Sequence, residues 1–316
     1  MLNNEKNQLK LLTAVVTFNR KQLLIENIRS QLKQTYPITY LLIIDNNSND
    51  GTYEALVDEK IIGLSNVYYY NTGDNLGGAG GFEFAVRKAV EYDCDLICLM
   101  DDDGKPLYSN TFENLIRFVP DDITEPLFLN CLVVNDKEEL SFGLGNECKT
   151  IIDAKQISKN GLVHALCNPF NGTFINKALV NKIGYPRGDF FIRFDEVDYF
   201  KKSLKSNAFV GTVVDSLYYH PSTSSMITKK LFGKTFINEY ESPWKEYYKM
   251  RNSLILAREN GTSRIRCFLK YKKYLFGMFL FKIKDRNLLK KFIKRGYKDA
   301  MIKKTGKIIN PGQLEI

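Results

Sequence analysis

Three adjacent carboxylates, Asp101, Asp102 and Asp103, close the apolar run Leu96-Ile97-Cys98-Leu99-Met100. On an extended segment successive side chains point to opposite sides, so Asp101 and Asp103 aim together and Asp102 aims away from them. Two hard oxygen ligands on one side suit Mg²⁺ or Mn²⁺, with the phosphate oxygens of a substrate free to fill the remaining positions. The same residues also fit a solvated acidic turn, because Asp103-Gly104-Lys105-Pro106 is ordinary loop sequence. A second acidic group, Asp195-Glu196-Val197-Asp198, is followed by Tyr199, Phe200 and Leu204 at helical spacing. Carboxylates in a first helical turn are favoured by the helix dipole whatever else they do.

The elements that must position these groups alternate. Leu11 to Phe18 is a β-rich apolar run stopping at Asn19-Arg20, and Leu23, Leu24, Ile28 and Leu32 continue at helical spacing to the break at Tyr36-Pro37. A second strand, Thr39 to Asp45, exits into Asn46-Asn47-Ser48-Asn49-Asp50-Gly51-Thr52, and a third, Val67 to Tyr70, into a loop that runs from Asn71 through Asn75 to Gly77-Gly78-Ala79-Gly80-Gly81. A helix expected from Phe82 to Tyr92 delivers the chain to the strand ending at Asp101. Strand and helix in alternation imply a parallel sheet with right-handed crossovers, whose ligands sit beyond the carboxyl ends of the strands. All four polar loops fall at those ends.

Further along, Leu127 to Val134 and Ala208 to Val214 read as strands, and a Ser/Thr/Lys loop after His220-Pro221 as a mobile lid. Ser242-Pro243 starts a helix with Trp244, Tyr247, Tyr248, Arg251, Leu254 and Ile255 on one face, closed by Gly261. His164, between Val163 and Ala165, is expected to be buried structure.

Composition narrows the class. The 316 residues are 44% hydrophobic and can bury a sizeable core. Six cysteines without a Cys-x-x-Cys pair favour free thiols over zinc or a disulfide framework, and a polar N-terminus suggests no secretory signal, so a cytoplasmic protein is expected. No apolar run approaches the roughly 18 residues a membrane span needs. The net charge of +9 is uneven: sixteen Lys and Arg between Arg264 and Lys307 face two Asp, a local +14 that leaves −5 for the rest. Aromatic and aliphatic residues interleave with those lysines. We expect a boundary near Gly261, separating a catalytic domain over 1–260 from a basic helical segment over 261–316 that serves as a membrane-surface or acceptor-binding element.

Two nucleotide motifs fail on spacing. The glycines of a dinucleotide fingerprint should follow the first strand, and here they follow the third. Gly233-Lys234-Thr235 ends like a P-loop, but Thr228 stands where its first glycine belongs.

Thr17-Phe18-Asn19-Arg20, Asp45-Asn46-Asn47-Ser48-Asn49-Asp50-Gly51-Thr52, Asn75-Leu76-Gly77-Gly78-Ala79-Gly80-Gly81-Phe82 and Met100-Asp101-Asp102-Asp103 together resemble family-2 glycosyltransferases of the GT-A fold. The full glycine run and the triple aspartate look most like the galactofuranosyltransferase branch, with rhamnosyltransferases close by. The resemblance covers about residues 10 to 260. It implies an α/β GT-A type nucleotide-diphospho-sugar transferase fold, a mostly parallel sheet flanked by helices, and an inverting, metal-dependent hexosyl transfer in cell-envelope polysaccharide synthesis. Asp101, Asp103 and His220 would hold Mn²⁺ or Mg²⁺. Thr17, Phe18, Asn19, Arg20, Asp45, Asn47, Asn75, Gly77, Gly78 and Asp102 would bind the donor, with Arg251 near its diphosphate. Glu196, with Asp195 as the alternative base or an acceptor ligand, would take the acceptor's proton, and Trp244 would line the acceptor. The implied partners are a UDP-linked rather than dTDP-linked sugar and a glycolipid or polysaccharide acceptor at the inner face of the plasma membrane, with no nucleic acid. A sugar-nucleotide pyrophosphorylase lacks its triphosphate loop here, and a non-enzymatic basic lipid- or nucleic-acid-binding protein stands as the alternative of another class.

Overall fold

In the computed structural model, residues 8–145, 148–222, 226–231, 234–280 and 285–315 are described. The chain divides into two units, one formed by Met1–Arg187 with Glu196–Ser222 and the other by Gly188–Asp195 with Thr223–Ile316.

The first unit begins with the expected alternation: β1 (Leu11–Thr17), α1 (Lys21–Leu32), β2 (Ile38–Asp45), α2 (Thr52–Asp58), β3 (Val67–Asn71), α3 (Gly77–Ala89) and β4 (Leu96–Asp101). It continues through β5 (Lys105–Pro106), α4 (Thr111–Ile116), β6 (Leu127–Val134), α5 (Ile151–Ile157), β7 (Leu162–His164), β8 (Asn171–Asn176), α6 (Lys177–Ile183), α7 (Asp195–Lys205) and β9 (Phe209–Tyr219). Eight of the strands run in the order β3-β2-β1-β4-β8-β6-β9-β5, and β7 pairs with β9. The first four are mutually parallel, β8 is antiparallel to both neighbours, and β6 with β9 is parallel again.

Both faces of this sheet are buried, which is why its strands read as continuous apolar runs. Leu11 and Val15 of β1 join Leu24 and Ile28 of α1 on one face. Leu12, Ala14 and Val16 join Phe82, Ala85 and Val86 of α3 on the other. The glycine run, expected as loop, forms the first turns of α3. A Cβ on Gly81 would overlap the side chains of Val16 and Asn46, so the missing side chain is what lets the helix lie against the strand.

Other expectations change. His164 is exposed, because β7 is an edge strand, and its ring meets Phe209 edge-on. The strand expected to end at Val214 runs to Tyr219, its register with β6 shifting between Cys131 and Leu132. In the second unit the expected lid contains a hairpin, β10 (Met226–Leu231) with β11 (Lys234–Glu239); residues 223–225 and Gly233 lie outside the described residues, as do Met1–Lys6.

The second unit is otherwise helical, with α8 (Pro243–Glu259), α9 (Arg264–Leu280) and α10 (Arg286–Met301). Its boundary falls after Ser222 and not near Gly261, because α8 packs on α10. Gly296 permits that approach: a Cβ there would stand 2.5 Å from the Tyr247 carbonyl. Tyr247 Oη donates to Asp299 at 2.7 Å, and Tyr248 Oη to the Ile309 carbonyl at 2.9 Å. All six cysteines are free thiols, and among the described residues no helix is long and apolar enough to cross a membrane.

Candidate active site

The loops after β1 and β4 are tied together through the aspartate triplet. Thr17 Oγ1 donates to Asp102 at 2.8 Å and the Phe18 amide at 3.4 Å, while Arg20 Nη1 bridges Asp102 at 3.0 Å and Asp103 at 2.7 Å. Asp102 faces the β1 loop and fixes Thr17 and Arg20 in place; β4 ends at Asp101, so the pleat does not part Asp102 from Asp103, and the two share Arg20 Nη1. Asn19 adopts φ 52°, its amide donates to Ser48 Oγ, and its Oδ1 accepts from the Asn49 amide, which joins this loop to the one after β2. Asp45 is buried and accepts from the Ser48 amide and hydroxyl and from Tyr69 Oη. Asn47 is exposed at φ 63°. The Asn75 side chain accepts from the Gly77 amide at the entrance to α3, with Gly78 half-buried beside it. The loops expected to hold a donor are thus gathered at one edge of the first unit.

His220 reaches this cluster through a short antiparallel pairing that sequence alone did not disclose. Lys105 pairs with Tyr219 and Pro106 with Tyr218, which sets the residue after β9 beside the residues before β5. His220 Nε2 stands 3.2 Å from Asp103 Oδ1, and Nδ1 is 2.8 Å from the Pro221 carbonyl. Gly104 must lack a side chain here, because a Cβ would overlap the buried Tyr218 ring.

The electrostatics separate the three carboxyls. Burial, then the charges of Asp103 and Asp102, push the Asp101 carboxyl up to about 8. Burial also raises Asp102 in spite of Arg20 and Thr17. For Asp103 burial is outweighed by the hydrogen bond and charge of His220 and by Arg20, which hold it below the usual range. His220 is desolvated, yet its bond to Asp103 raises its affinity for a proton. The Arg20 guanidinium, and the His220 imidazole whenever it is protonated, therefore counter the charge of the Asp102 and Asp103 carboxylates.

That donor set, carboxylate oxygens with one imidazole, has the chemistry Mn²⁺ or Mg²⁺ accepts. Among the described residues no three His, Cys, Asp or Glu side chains converge into a metal cage. Asp103 and His220 fit as a half-site, with Asp101 in the same charge cluster.

The second acidic motif opens α7, which Tyr199 anchors on the first unit's sheet by ring contacts with Phe128 and Phe170. Asp195 is buried and Glu196 half-buried. The residues just before them belong to the second unit and are held from α8. Phe191, Arg193 and Phe194 all have φ between 65° and 74°, a left-handed backbone that non-glycine residues rarely adopt. Asn252, fully buried, donates to the carbonyls of Phe190, Ile192 and Arg193 at 3.1, 2.8 and 2.9 Å. Arg251, expected at the donor diphosphate, is instead fully buried inside the second unit. Its guanidinium donates to the carbonyls of Phe190 and Gly306 and to Asn252 Oδ1, an arrangement in which the planar fork meets backbone oxygens instead of phosphate. Trp244 is half-buried on the cluster of Phe191, Tyr247 and Tyr248.

Two supporting residues escaped the sequence reading. Asn27, fully buried in α1, donates to the carbonyls of Asp101 and Gly104 and so fixes the triplet's backbone from behind. Asn46 donates to the Gly77 carbonyl and couples the loop after β2 to the glycine run. The signal for Asn27 was available, since it interrupts the buried helical stripe of Leu24, Ile28 and Gln31.

A largely parallel sheet whose strand-end loops gather on an aspartate triplet, with a histidine brought to it from a late strand, defines a GT-A type glycosyltransferase. Residues 13–195 match the family model of glycosyl transferase family 2, and the chain belongs to that family. It is 25% identical over 260 residues to galactofuranosyltransferase GlfT1 of Mycolicibacterium smegmatis, covering 79% of this chain and 84% of that protein. It is 22% identical over 261 residues to dTDP-rhamnosyl transferase RfbF of Shigella flexneri, covering 78% of this chain and 79% of that one. Among solved structures, a mannosyltransferase from Pyrobaculum calidifontis in complex with GDP-mannose and Mn²⁺ shares the fold, at TM-score 0.53 and 13% identity over 94% of this chain and 87% of that one.

Proposed function

We propose that this chain is an inverting, metal-dependent hexosyltransferase that moves galactofuranose from UDP-galactofuranose onto a lipid-linked or polysaccharide acceptor in cell-surface glycan synthesis, working at the inner face of the plasma membrane. One observation carries the reading: Thr17 and Arg20 on one side and His220 on the other converge on Asp102 and Asp103. The likeness to a galactofuranosyltransferase supports the sugar.

In this reading Asp101, Asp103 and His220 hold the cation, which supplies positive charge against the donor diphosphate and makes it a better leaving group. Arg20 exchanges part of its pairing with Asp103 for phosphate. Phe18, Asn19, Asp45, Asn47 and Asn75 receive the nucleotide; Gly78, with open space around it, leaves the backbone accessible, while Gly77, bonded to Asn75 and Asn46, holds the turn that presents it. Glu196 takes the proton of the acceptor hydroxyl as that oxygen attacks the anomeric carbon opposite the leaving diphosphate, while the adjacent Asp195 orients the acceptor. Atoms balance: the glycosidic bond forms as the sugar–phosphate bond breaks, and the proton stays on Glu196.

A thermal-shift panel of UDP- and dTDP-sugars, each with and without Mn²⁺, tests the assignment. A Mn²⁺-dependent rise in Tm selective for UDP-galactofuranose is expected. Selectivity for dTDP-rhamnose would favour the second reading, which the rhamnosyltransferase likeness supports. No response to any donor would overturn both.

A further inference from the structure

α9 has two apolar faces. Cys267, Tyr271 and Met278 point inward and are buried, with Tyr271 stacked on Tyr297 at 4.6 Å between centroids. Ile265, Phe268, Leu269, Phe276 and Phe279 lie on the outside, between 42% and 73% exposed. At 100° per residue these five fall within an arc of about 100°, roughly opposite the buried face. Arg264 borders the stripe on one side and Arg266, Lys270 and Lys273 on the other, with Lys272 inside it; all five cations are exposed and the helix contains no acidic residue. A single exposed Leu or Phe is ordinary, but a continuous stripe of five large apolar side chains edged by cations is not.

We propose that α9 is an interfacial helix that lies in the surface of an anionic lipid bilayer, its stripe at the acyl boundary and its cations among the headgroup phosphates. The charge pattern selects this occupant. A bilayer offers apolar depth beneath a sheet of negative charge, matching apolar residues bordered by positive ones. A second copy of the chain meeting the same face would oppose five cations to five cations. Nucleic acid would satisfy the cations and leave Ile265, Leu269, Phe276 and Phe279 in water. The helix has 17 residues and carries five charges, so it lies on a membrane and does not span one. The contact rests on the membrane-side acceptor proposed above only for its purpose, since vesicle binding needs neither donor nor acceptor.

Flotation of the full chain with phosphatidylglycerol/phosphatidylcholine vesicles, and with phosphatidylcholine alone, tests it. Binding to the anionic vesicles is expected, weakened by salt and weakened at least about tenfold in Phe276→Ser/Phe279→Ser, where two deep apolar anchors are lost. Lys270→Ser/Lys273→Ser should weaken it about fivefold per cation removed. Because these side chains are exposed, the variants should keep the parent Tm and donor-induced thermal shift. Equal binding to neutral vesicles, unchanged binding in both double variants, or a dimer in solution that Phe276→Ser/Phe279→Ser dissociates would overturn the proposal. Vesicle binding without any donor response would leave α9 as assigned and defeat the transferase assignment instead.

Discussion

Asn252→Ala tests whether the second unit sets the geometry of the acidic motif. The Asn252 amide has two N–H groups and three carbonyls within reach, those of Ile192 and Arg193 at 2.8 and 2.9 Å and that of Phe190 at 3.1 Å. Arg251 Nη2 also serves Phe190, at 3.0 Å. The substitution thus withdraws the donors of the part-buried Ile192 and Arg193 carbonyls, at about 1 kcal/mol each where water takes the vacated position and up to about 3 kcal/mol each where it does not, or roughly 2–6 kcal/mol in all. A loss of about 3 kcal/mol corresponds to a Tm decrease of about 12–24 °C for a unit of about 100 residues. The loop it releases holds three non-glycine residues at positive φ, each strained by about 1–3 kcal/mol, so relaxation is favourable once the clamp is gone. Because that loop runs directly into Asp195 and Glu196, kcat measured well below the transition should fall about 10- to 100-fold, the loss expected for an ångström of misplacement. Donor KM should change little, since the loops after β1, β2 and β3 make none of these bonds. Asn252→Asp, equal in size but presenting oxygens to oxygens, should be worse than Ala. A parent-like kcat alongside the lower Tm would refute the positioning argument, and an unchanged Tm would refute the clamp itself.

Other expectations separate residues that sequence groups together. Asp103→Ala should abolish the Mn²⁺-dependent thermal shift and reduce donor turnover at least about 100-fold, whereas Asp102→Asn, which faces Thr17 and Arg20, should lower Tm while retaining a Mn²⁺ response; isothermal titration with Mn²⁺ distinguishes them. Arg20→Ala should raise donor KM about tenfold, and Arg20→Lys should recover only part of it, because Nη1 alone takes Asp102 and Asp103 and leaves the rest of the fork to meet phosphate, which a single ammonium cannot do. Gly296→Ala forces a methyl against the Tyr247 carbonyl and should destabilise the α8–α10 pair by about 1–3 kcal/mol, seen in thermal unfolding. Asn27→Leu should destabilise the chain and weaken donor binding together, because the same amide holds the carbonyls of Asp101 and Gly104.

What was legible in the sequence was local. β1 to β4 and the loops that follow them were readable because a parallel strand buried on both faces must be apolar throughout, and its exit must be polar. The triplet was recognisable by residue type, but a strand pleat could not sort its members, because β4 ends at Asp101 and both Asp102 and Asp103 turn to Arg20. Long-range pairing was hidden: the insertion of β8 antiparallel between β4 and β6, and the two-residue pairing of β5 with β9 that brings His220 to Asp103, join segments far apart in the chain. Arg251 shows the same limit in one side chain. A guanidinium presents the same fork to a phosphate and to two carbonyls, and only the burial of α8 against α10 and the loop 188–195 decides which it meets. The boundary moved for a related reason, since Gly261 ends a helix but Gly296 and Asp299, further along, determine what that helix packs against. Chemistry-bearing residues were therefore recognisable by type, and Asn27 by its place in an apolar helical stripe, while Asn46 and Asn252 became recognisable only when their buried amides were matched to the carbonyls they serve.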